Sequence, residues 1–174
     1  MNLALTGFMG AGKTTTGRRL ARILKVAFID TDAEIVKQHG AIAEIFEHEG
    51  EARFRDYERA VLERLAASGP WVVAVGGGAV LDAANRKLLR SSGLIVHLAV
   101  SPETAFERVA HRTHRPLLGA KPTLGGIRSL LSSRAGAYAD SDLAIKADGK
   151  SPIALANIIA RWYRKRLIQA GAQG

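Results

Sequence analysis

The chain has 174 residues, contains no cysteine and carries a formal net charge of +9. Its length suits one domain with a sizeable core, and its apolar content of 47% and charged content of 24% are ordinary for a globular protein. The lack of cysteine excludes disulfides and thiolate metal ligands. No apolar run approaches the roughly 20 residues that span a bilayer, and no charged segment precedes the apolar N-terminal run. We therefore expect a cytoplasmic protein without a membrane partner.

The excess of 25 basic over 16 acidic residues is compatible with either a nucleic-acid partner or small anionic substrates. The basic residues do not form one stripe interleaved with aromatic side chains, and only residues 161–166 (Arg-Trp-Tyr-Arg-Lys-Arg) form a cluster. Apolar residues from Ile158 to Leu167 recur with helical spacing, which predicts a helix whose opposite face is simply solvated. We therefore expect no nucleic-acid partner.

Short apolar runs alternate with helical patterns along the chain. The predicted strands are 3–6, 26–29, 71–75, 94–98 and 143–146, and the predicted helices are near 13–24, 33–38, 42–48, 51–67, 83–91, 102–111, 124–134 and 152–168. The strands are apolar on both faces, which is typical of a parallel sheet covered by helices. Such an α/β alternation places ligands at the carboxyl ends of the strands.

Two segments depart from this alternation. Residues 32–61 put consecutive helical patterns between the second and third strands, where one crossover helix would suffice. Residues 111–126 are basic and rich in Gly and Pro, and a loop of that length in a compact domain is usually functional. The second segment predicts a mobile lid over bound phosphates.

Residues 7–14, Gly-Phe-Met-Gly-Ala-Gly-Lys-Thr, match a phosphate-binding P-loop between a predicted strand and a predicted helix. Its three glycines allow a turn tight enough to point successive N–H groups at one phosphate, and the helix dipole adds positive potential. Lys13 is expected to reach the outer phosphates, and the Thr14 hydroxyl is expected to bind Mg²⁺. The motif therefore predicts that the chain binds a nucleoside triphosphate.

Polar residues and glycines follow the second and third strands. Asp30 and Asp32 would emerge at the sheet edge beside the P-loop, where one can face a metal ion and the other an incoming hydroxyl. The alternative role for such residues is helix N-capping, although we favour a chemical role for Asp32. Residues 76–78 are all glycine and allow a ligand to approach the main chain.

Four arginines are candidates for binding anions. Arg55 and Glu58 lie one helical turn apart, and they form either a surface pair or a clamp in which Arg55 grips a substrate carboxylate. Arg134 is a candidate second clamp, and the residues alone leave both choices open. Arg115, in the predicted lid, is placed to stabilise charge on a transferred phosphoryl group, and Arg108 is expected to border the nucleotide.

In their order along essentially the entire chain, these motifs resemble those of the shikimate kinase family. The resemblance rests on Gly7–Thr14 with Thr15, Asp30–Asp32, Ile45–Phe46, Gly50–Glu51 with Phe54, Arg55 and Glu58, Gly76–Gly78, Arg115–Leu118, and Arg134 with Tyr138. It implies phosphorylation of the 3-hydroxyl of shikimate by ATP, in aromatic amino-acid biosynthesis. It also implies a three-layer, doubly wound α/β fold around a parallel five-stranded sheet of order 2-3-1-4-5.

The resemblance also implies roles for individual residues. ATP would be bound by Gly10, Ala11, Gly12, Lys13, Thr14, Thr15, Arg108 and Arg115; shikimate by Asp32, Phe46, Phe54, Arg55, Gly77, Gly78 and Arg134; and one Mg²⁺ per subunit by Thr14 and Asp30. Lys13, Asp32 and Arg115 would be catalytic, with Asp32 as the base or as the group that orients the attacking hydroxyl. Arg55 and Arg134 would hold the substrate carboxylate.

We expect one monomeric domain over residues 1–174. Its core would comprise residues 1–31, 62–110 and 127–174, its substrate-binding insertion residues 32–61, and its lid residues 111–126. Two alternatives stay open: another small-molecule P-loop kinase, such as a gluconate kinase or a nucleoside monophosphate kinase, and a P-loop switch or nucleic-acid-binding ATPase. The second leaves the combination of Asp32, Arg55 and Arg134 unexplained.

Overall fold

The helices and strands of the computed structural model alternate as the sequence predicts. The structure describes residues 1–109 and 122–171, with the side chains of 170 and 171 excepted. In chain order the elements are β1 (Asn2–Thr6), α1 (Lys13–Leu24), β2 (Ala27–Asp30), α2 (Thr31–His39), α3 (Ile42–His48), α4 (Gly50–Ala66), β3 (Trp71–Ala74), a short 3-10 turn (Ala79–Leu81), α5 (Ala83–Ser92), β4 (Gly93–Ala99), α6 (Pro102–Val109), α7 (Leu124–Ala139), β5 (Leu143–Lys146) and α8 (Pro152–Gly171).

Within the described residues, five strands form one parallel sheet of order β2-β3-β1-β4-β5. The central strand β1 pairs with β3 on one side and β4 on the other, so that Leu3 lies opposite both Val72 and Leu94. This order confirms the predicted fold class. It also brings the carboxyl ends of β1, β2 and β3 to one edge of the sheet.

Both faces of the sheet are buried because successive residues of β1 point to opposite sides. Leu3 and Leu5 pack in a cluster with residues of α1 and α8, whereas Ala4 packs in a second cluster with residues of α4 and α5. A third cluster, which includes Phe8 of the P-loop, joins the loop to α6 and α7. The result is a sheet between two helical layers, which agrees with the apolar runs of the sequence.

The element boundaries differ from the prediction in two places that affect the site. The second strand is displaced by one residue, so Asp30 is its last residue instead of following it, and Asp32 lies in the first turn of α2. The helix predicted for 124–134 continues to Ala139 and therefore contains Tyr138. It begins after Thr123, whose Oγ1 accepts a hydrogen bond of 3.1 Å from the N–H of Gly126. In the part of the chain that the structure describes, each helix is too short or too polar to cross a membrane.

Candidate active site

The P-loop connects β1 to α1 and has the backbone that its glycines predict. Gly7, Gly10 and Gly12 have φ values of 145°, 80° and 88°, in the region that side chains disfavour. A Cβ at Gly7 would lie 2.6 Å from the carbonyl oxygen of Leu98, so no larger residue fits there. Nζ of Lys13 donates to the carbonyl oxygens of Gly7 and Phe8, at 2.8 and 3.2 Å, and so lies over the loop.

Thr14 and Asp30 meet beside the P-loop. Oγ1 of Thr14 donates a 2.6 Å hydrogen bond to Oδ2 of Asp30. The other carboxylate oxygen of Asp30 accepts from the N–H of Ala33 at 3.3 Å, which caps α2. Asp30 therefore caps α2 through Oδ1, which was the alternative to a chemical role. Its Oδ2 lies beside Thr14, at the predicted metal site.

The P-loop end of the site is bordered by α6 and the loop before α8. Nη1 of Arg108 donates to the Gly10 carbonyl at 2.8 Å. Lys150 and Pro152 line the same cavity. In the neighbouring loop Asp148 accepts hydrogen bonds from Ser101, including one from its N–H at 3.0 Å, and these bonds keep the pKa of Asp148 below its usual value. Arg108, which is expected to border the nucleotide, thus lies at the same cavity as Lys150 and Pro152.

Arg55 and Glu58 of α4 form the opposite end. Glu58 is 1% exposed and accepts a hydrogen bond from Nη1 of Arg55, while Nη2 of Arg55 contacts Glu51 at 2.7 Å. Burial raises the pKa of Glu58 to about 7; Arg55 acts in the opposite direction, and the nearby charge of Asp32 adds to the rise. The pair is therefore no ordinary surface pair, since Glu58 fixes Arg55 from the protein interior.

Arg134 of α7 lies at the same end as Arg55. It is 4% exposed, and its guanidinium lies 5.7 Å from the centroid of the Phe8 ring. Nη1 of Arg134 and the hydroxyl of Tyr138 both donate to the Gly77 carbonyl, at 3.3 and 2.9 Å. Among the described residues, Nε of Arg134 has no hydrogen-bond partner and no carboxylate pairs with this guanidinium.

The glycine segment after β3 allows the carboxylates to lie against the strand end. A Cβ at Gly76 would lie 2.6 Å from Oδ1 of Asp32 and 2.7 Å from Oε1 of Glu58. The N–H of Gly76 donates to Oγ1 of Thr31 at 2.9 Å, which ties the segment to α2. Among the described residues, the hydrogen bonds that hold this segment use the Gly76 N–H and the carbonyls of Gly76–Gly78, and not the N–H groups of Gly77 and Gly78.

One cavity of about 730 Å³ runs from the P-loop to the two arginines. The predicted site residues that line it are Gly10, Ala11, Gly12, Lys13, Thr14, Thr15, Asp30, Asp32, Phe46, Phe54, Arg55, Gly77, Gly78, Arg108 and Arg134. The rings of Phe46 and Phe54 lie 5.0 Å apart at one side. Arg115 and residues 111–121 of the predicted lid lie outside the described residues.

Sequence reasoning missed the burial of Glu58 and the contribution of Thr31. The signal for Glu58 was present, because Phe54, Glu58 and Leu62 follow the helical spacing of the buried face of α4. Thr31 gave no local signal, since its hydroxyl is matched to Gly76 only by the pairing of β2 with β3.

A P-loop at the edge of a parallel sheet of order 2-3-1-4-5, with two arginines at the other end of the same cavity, defines a P-loop kinase. A family model described as "Shikimate kinase" matches residues 9–164. The chain is 45% identical over 165 residues to the shikimate kinase of Geobacter sulfurreducens, covering 94% of this chain and 91% of that one. It is 46% identical over 160 residues to the shikimate kinase of Moorella thermoacetica, covering 91% of each. The chain belongs to the shikimate kinase family.

Comparison with solved structures supports the same family. Shikimate kinase from Acinetobacter baumannii in complex with shikimate superposes with a TM-score of 0.90 at 38% identity, covering 95% of this chain and 93% of that chain. A gluconokinase from Sinorhizobium meliloti gives a TM-score of 0.64 at 23% identity, covering 97% and 96%, which is a likeness of fold alone. The comparisons therefore favour the first reading of the sequence over the gluconate kinase alternative.

Proposed function

We propose that the chain transfers the γ-phosphoryl group of ATP to the 3-hydroxyl of shikimate, which gives shikimate 3-phosphate and ADP. The observation that carries this proposal is the arrangement of one cavity. A phosphate-binding loop forms one end, two arginines from separate helices form the other, and Asp32 also lines the cavity. Membership of the family and the likeness to a shikimate complex support the same acceptor.

The acceptor half suits a small carboxylate that carries hydroxyl groups. Arg134 is a buried cation whose Nε lacks a hydrogen-bond partner among the described residues, and a planar guanidinium binds a carboxylate through paired hydrogen bonds. Arg55 lies across the glycine segment and is held by Glu58. We assign the substrate carboxylate to these two arginines, the substrate ring to the side of Phe46 and Phe54, and a polar group of the substrate to the N–H groups of Gly77 and Gly78.

The donor half and Asp32 account for the transfer step. The substrate oxygen forms a bond to the γ-phosphorus while the bond from that phosphorus to the β–γ bridging oxygen breaks, and Asp32 orients the hydroxyl and accepts its proton. Lys13 stabilises the negative charge of the migrating group and of the ADP that leaves. Arg115, outside the described residues, stays a prediction for the same role. Positioning and electrostatics supply the catalysis.

We assign one Mg²⁺ to Thr14 and Asp30. Magnesium in kinases is bound by one or two protein oxygens together with phosphate oxygens and water, and the hydroxyl and carboxylate that meet at 2.6 Å fit that requirement. In the described residues no group of three or more His, Cys, Asp or Glu side chains forms an all-protein metal site, which agrees with a metal carried by the nucleotide. The ion would neutralise phosphate charge when bound.

We also propose that the enzyme acts as a cytoplasmic monomer.

The acceptor is tested by following ADP release with shikimate, gluconate or no acceptor present, with and without Mg²⁺. We expect release that depends on shikimate and on Mg²⁺. Release that is unchanged by shikimate but is increased by gluconate or by a nucleotide would overturn the assignment.

The residue roles are tested with three variants. Arg55→Ala should mainly raise the shikimate KM, and Lys13→Ala should mainly lower kcat. Arg59→Ala is the matched control, since Arg59 lies one turn further along α4 and pairs on the surface with Asp82. A normal shikimate KM for Arg55→Ala would contradict the clamp, and equal effects at Arg55 and Arg59 would do the same.

A further inference from the structure

The positive net charge of the protein is concentrated in one pair of helices. Residues 13–25 (α1 with Lys25) and 152–171 (α8) contain nine of the 25 Lys and Arg residues and no Asp or Glu. The other 16 basic residues are equal in number to the 16 acidic residues, so the rest of the chain is formally neutral. Since α1 packs against α8, this charge lies in one outer layer of the fold.

Eight of these nine cations are exposed; the ninth, Lys13, lines the active-site cavity. The exposed eight, here called the helix-pair face, are Arg18, Arg19, Arg22, Lys25, Arg161, Arg164, Lys165 and Arg166. Within residues 1–109 and 122–169, none of them takes part in an ion pair, whereas Arg59 and Arg90 on other helices pair with aspartates. The face therefore presents charge that the protein itself does not neutralise.

Local roles explain only a part of this charge. Nη2 of Arg164 donates to the carbonyl of Ile23 at the end of α1, and Arg166 lies 5.9 Å from the ring centroid of Trp162. Cations at a helix C-terminus also complement the helix dipole. Arg18 lies 5.8 Å from the ring centroid of Phe28. Arg18 and Arg161 nevertheless lie in the middle of their helices, four residues before Arg22 and Lys165, and like charges at that spacing repel each other.

Aliphatic side chains accompany the cations. Ile168 is 73% exposed and Ile158 is 40% exposed on α8, whose inward face is already packed through Leu155 and Ile159. A face of arginines and isolated aliphatic groups resembles a protein interface, where Arg is enriched and Lys is depleted. Binding to nucleic acid rests mainly on phosphate contacts, which do not require the exposed isoleucines, and insertion into a bilayer requires the apolar helix face that the core occupies.

We propose that the helix-pair face binds an acidic protein surface that carries aliphatic side chains. Acidic side chains of the partner are attracted to the eight cations, and aliphatic side chains of the partner contact Ile158 and Ile168. It does not depend on the active site, because the eight cations lie outside the cavity.

The test measures binding at physiological ionic strength to a helical peptide rich in Glu and Leu, with poly-L-glutamate, duplex DNA and anionic phosphatidylglycerol vesicles as comparison probes. The variant Arg18→Gln/Arg22→Gln/Arg161→Gln removes three charges from the face. The control Lys37→Gln/Lys87→Gln/Lys146→Gln removes three exposed charges elsewhere and leaves the same net charge. Thermal unfolding verifies that both variants fold, and Ile168→Asn tests the aliphatic contribution.

We expect the first variant to lose about tenfold in peptide affinity. The control variant should lose only the small part of the affinity that depends on the net charge of the protein. Ile168→Asn should weaken binding of the Glu–Leu peptide and leave that of poly-L-glutamate unchanged. Equal losses in the two charge variants, tighter binding of DNA or vesicles than of the peptide, or no peptide binding by the wild type would each overturn the proposal.

Discussion

Replacement of Gly78 by alanine tests whether the position of Arg55 sets the affinity for the acceptor. A Cβ at residue 78 would lie 2.7 Å from Nη1 and 2.9 Å from Nη2 of Arg55. The φ of Gly78 is −98°, so alanine adopts this backbone without strain. The guanidinium must therefore move, by about 0.7 Å, before ordinary van der Waals contact is restored.

This displacement shifts the guanidinium of Arg55 relative to a bound carboxylate, while its contact with Glu58 can persist. A hydrogen bond to a charged group contributes about 1.5–3 kcal/mol, so the loss of one should raise the shikimate KM about 10- to 100-fold. The fold should survive, because the atoms that clash are the far end of a flexible side chain. We expect kcat to change much less than KM.

The assay is ADP release as a function of shikimate concentration, together with thermal unfolding. Gly136→Ala is the control, because among the described residues no atom beyond the adjacent backbone of its own helix lies within 4 Å of a Cβ built there. A shikimate KM for Gly78→Ala within about threefold of the wild type, in a protein of normal stability, would refute the reasoning.

Three further predictions concern stability and support of the site. Because burial raises the pKa of Glu58 to about 7, the folded state binds more protons than the unfolded state between pH 4.5 and 7. The free energy of unfolding should fall as pH rises through that range, by up to about 3 kcal/mol, and Glu58→Gln should remove this dependence in urea titrations. A difference between the two proteins that stays constant with pH would contradict it. Asn2→Ala should lower the free energy of unfolding by about 3 kcal/mol in the same titration, because the Asn2 side chain forms hydrogen bonds with Leu65, Ser68 and Trp71 at 3.0–3.1 Å. A loss below about 1 kcal/mol would show that these bonds contribute little. Tyr138→Phe removes the hydrogen bond to the Gly77 carbonyl, so it should lower the melting temperature and raise the shikimate KM, and an unchanged KM would mean that Arg134 alone holds Gly77.

The sequence was sufficient for the order of elements and for the two ends of the site. Strands such as 71–75 are apolar on both faces, and the P-loop has fixed spacing, so both follow from local patterns. The strand order came instead from the resemblance to a family, because periodicity does not say which strands are neighbours.

What the sequence could not supply depends on contacts between distant segments. The pairing of Arg55 with Glu58 was foreseen, but whether it lies on the surface or in the interior depends on how α4 packs on the sheet. Similarly, no local signal in the sequence shows that α7 continues to Ala139, and this continuation brings Tyr138 to Gly77. The role of Thr31 required the register of β2 with β3.

The buried guanidinium of Arg134 links ligand chemistry to the melting behaviour of the protein. A cation held in the interior without a matching anion lowers the stability of the folded chain, and this cost is absent from the unfolded chain. A carboxylate that docks there relieves the cost in the folded state alone, and a ligand at 100 times its Kd stabilises by about 2.7 kcal/mol. A neutral amide of the same shape leaves the cation unmatched. Thermal shift can therefore rank carboxylate inhibitors of this site without any turnover.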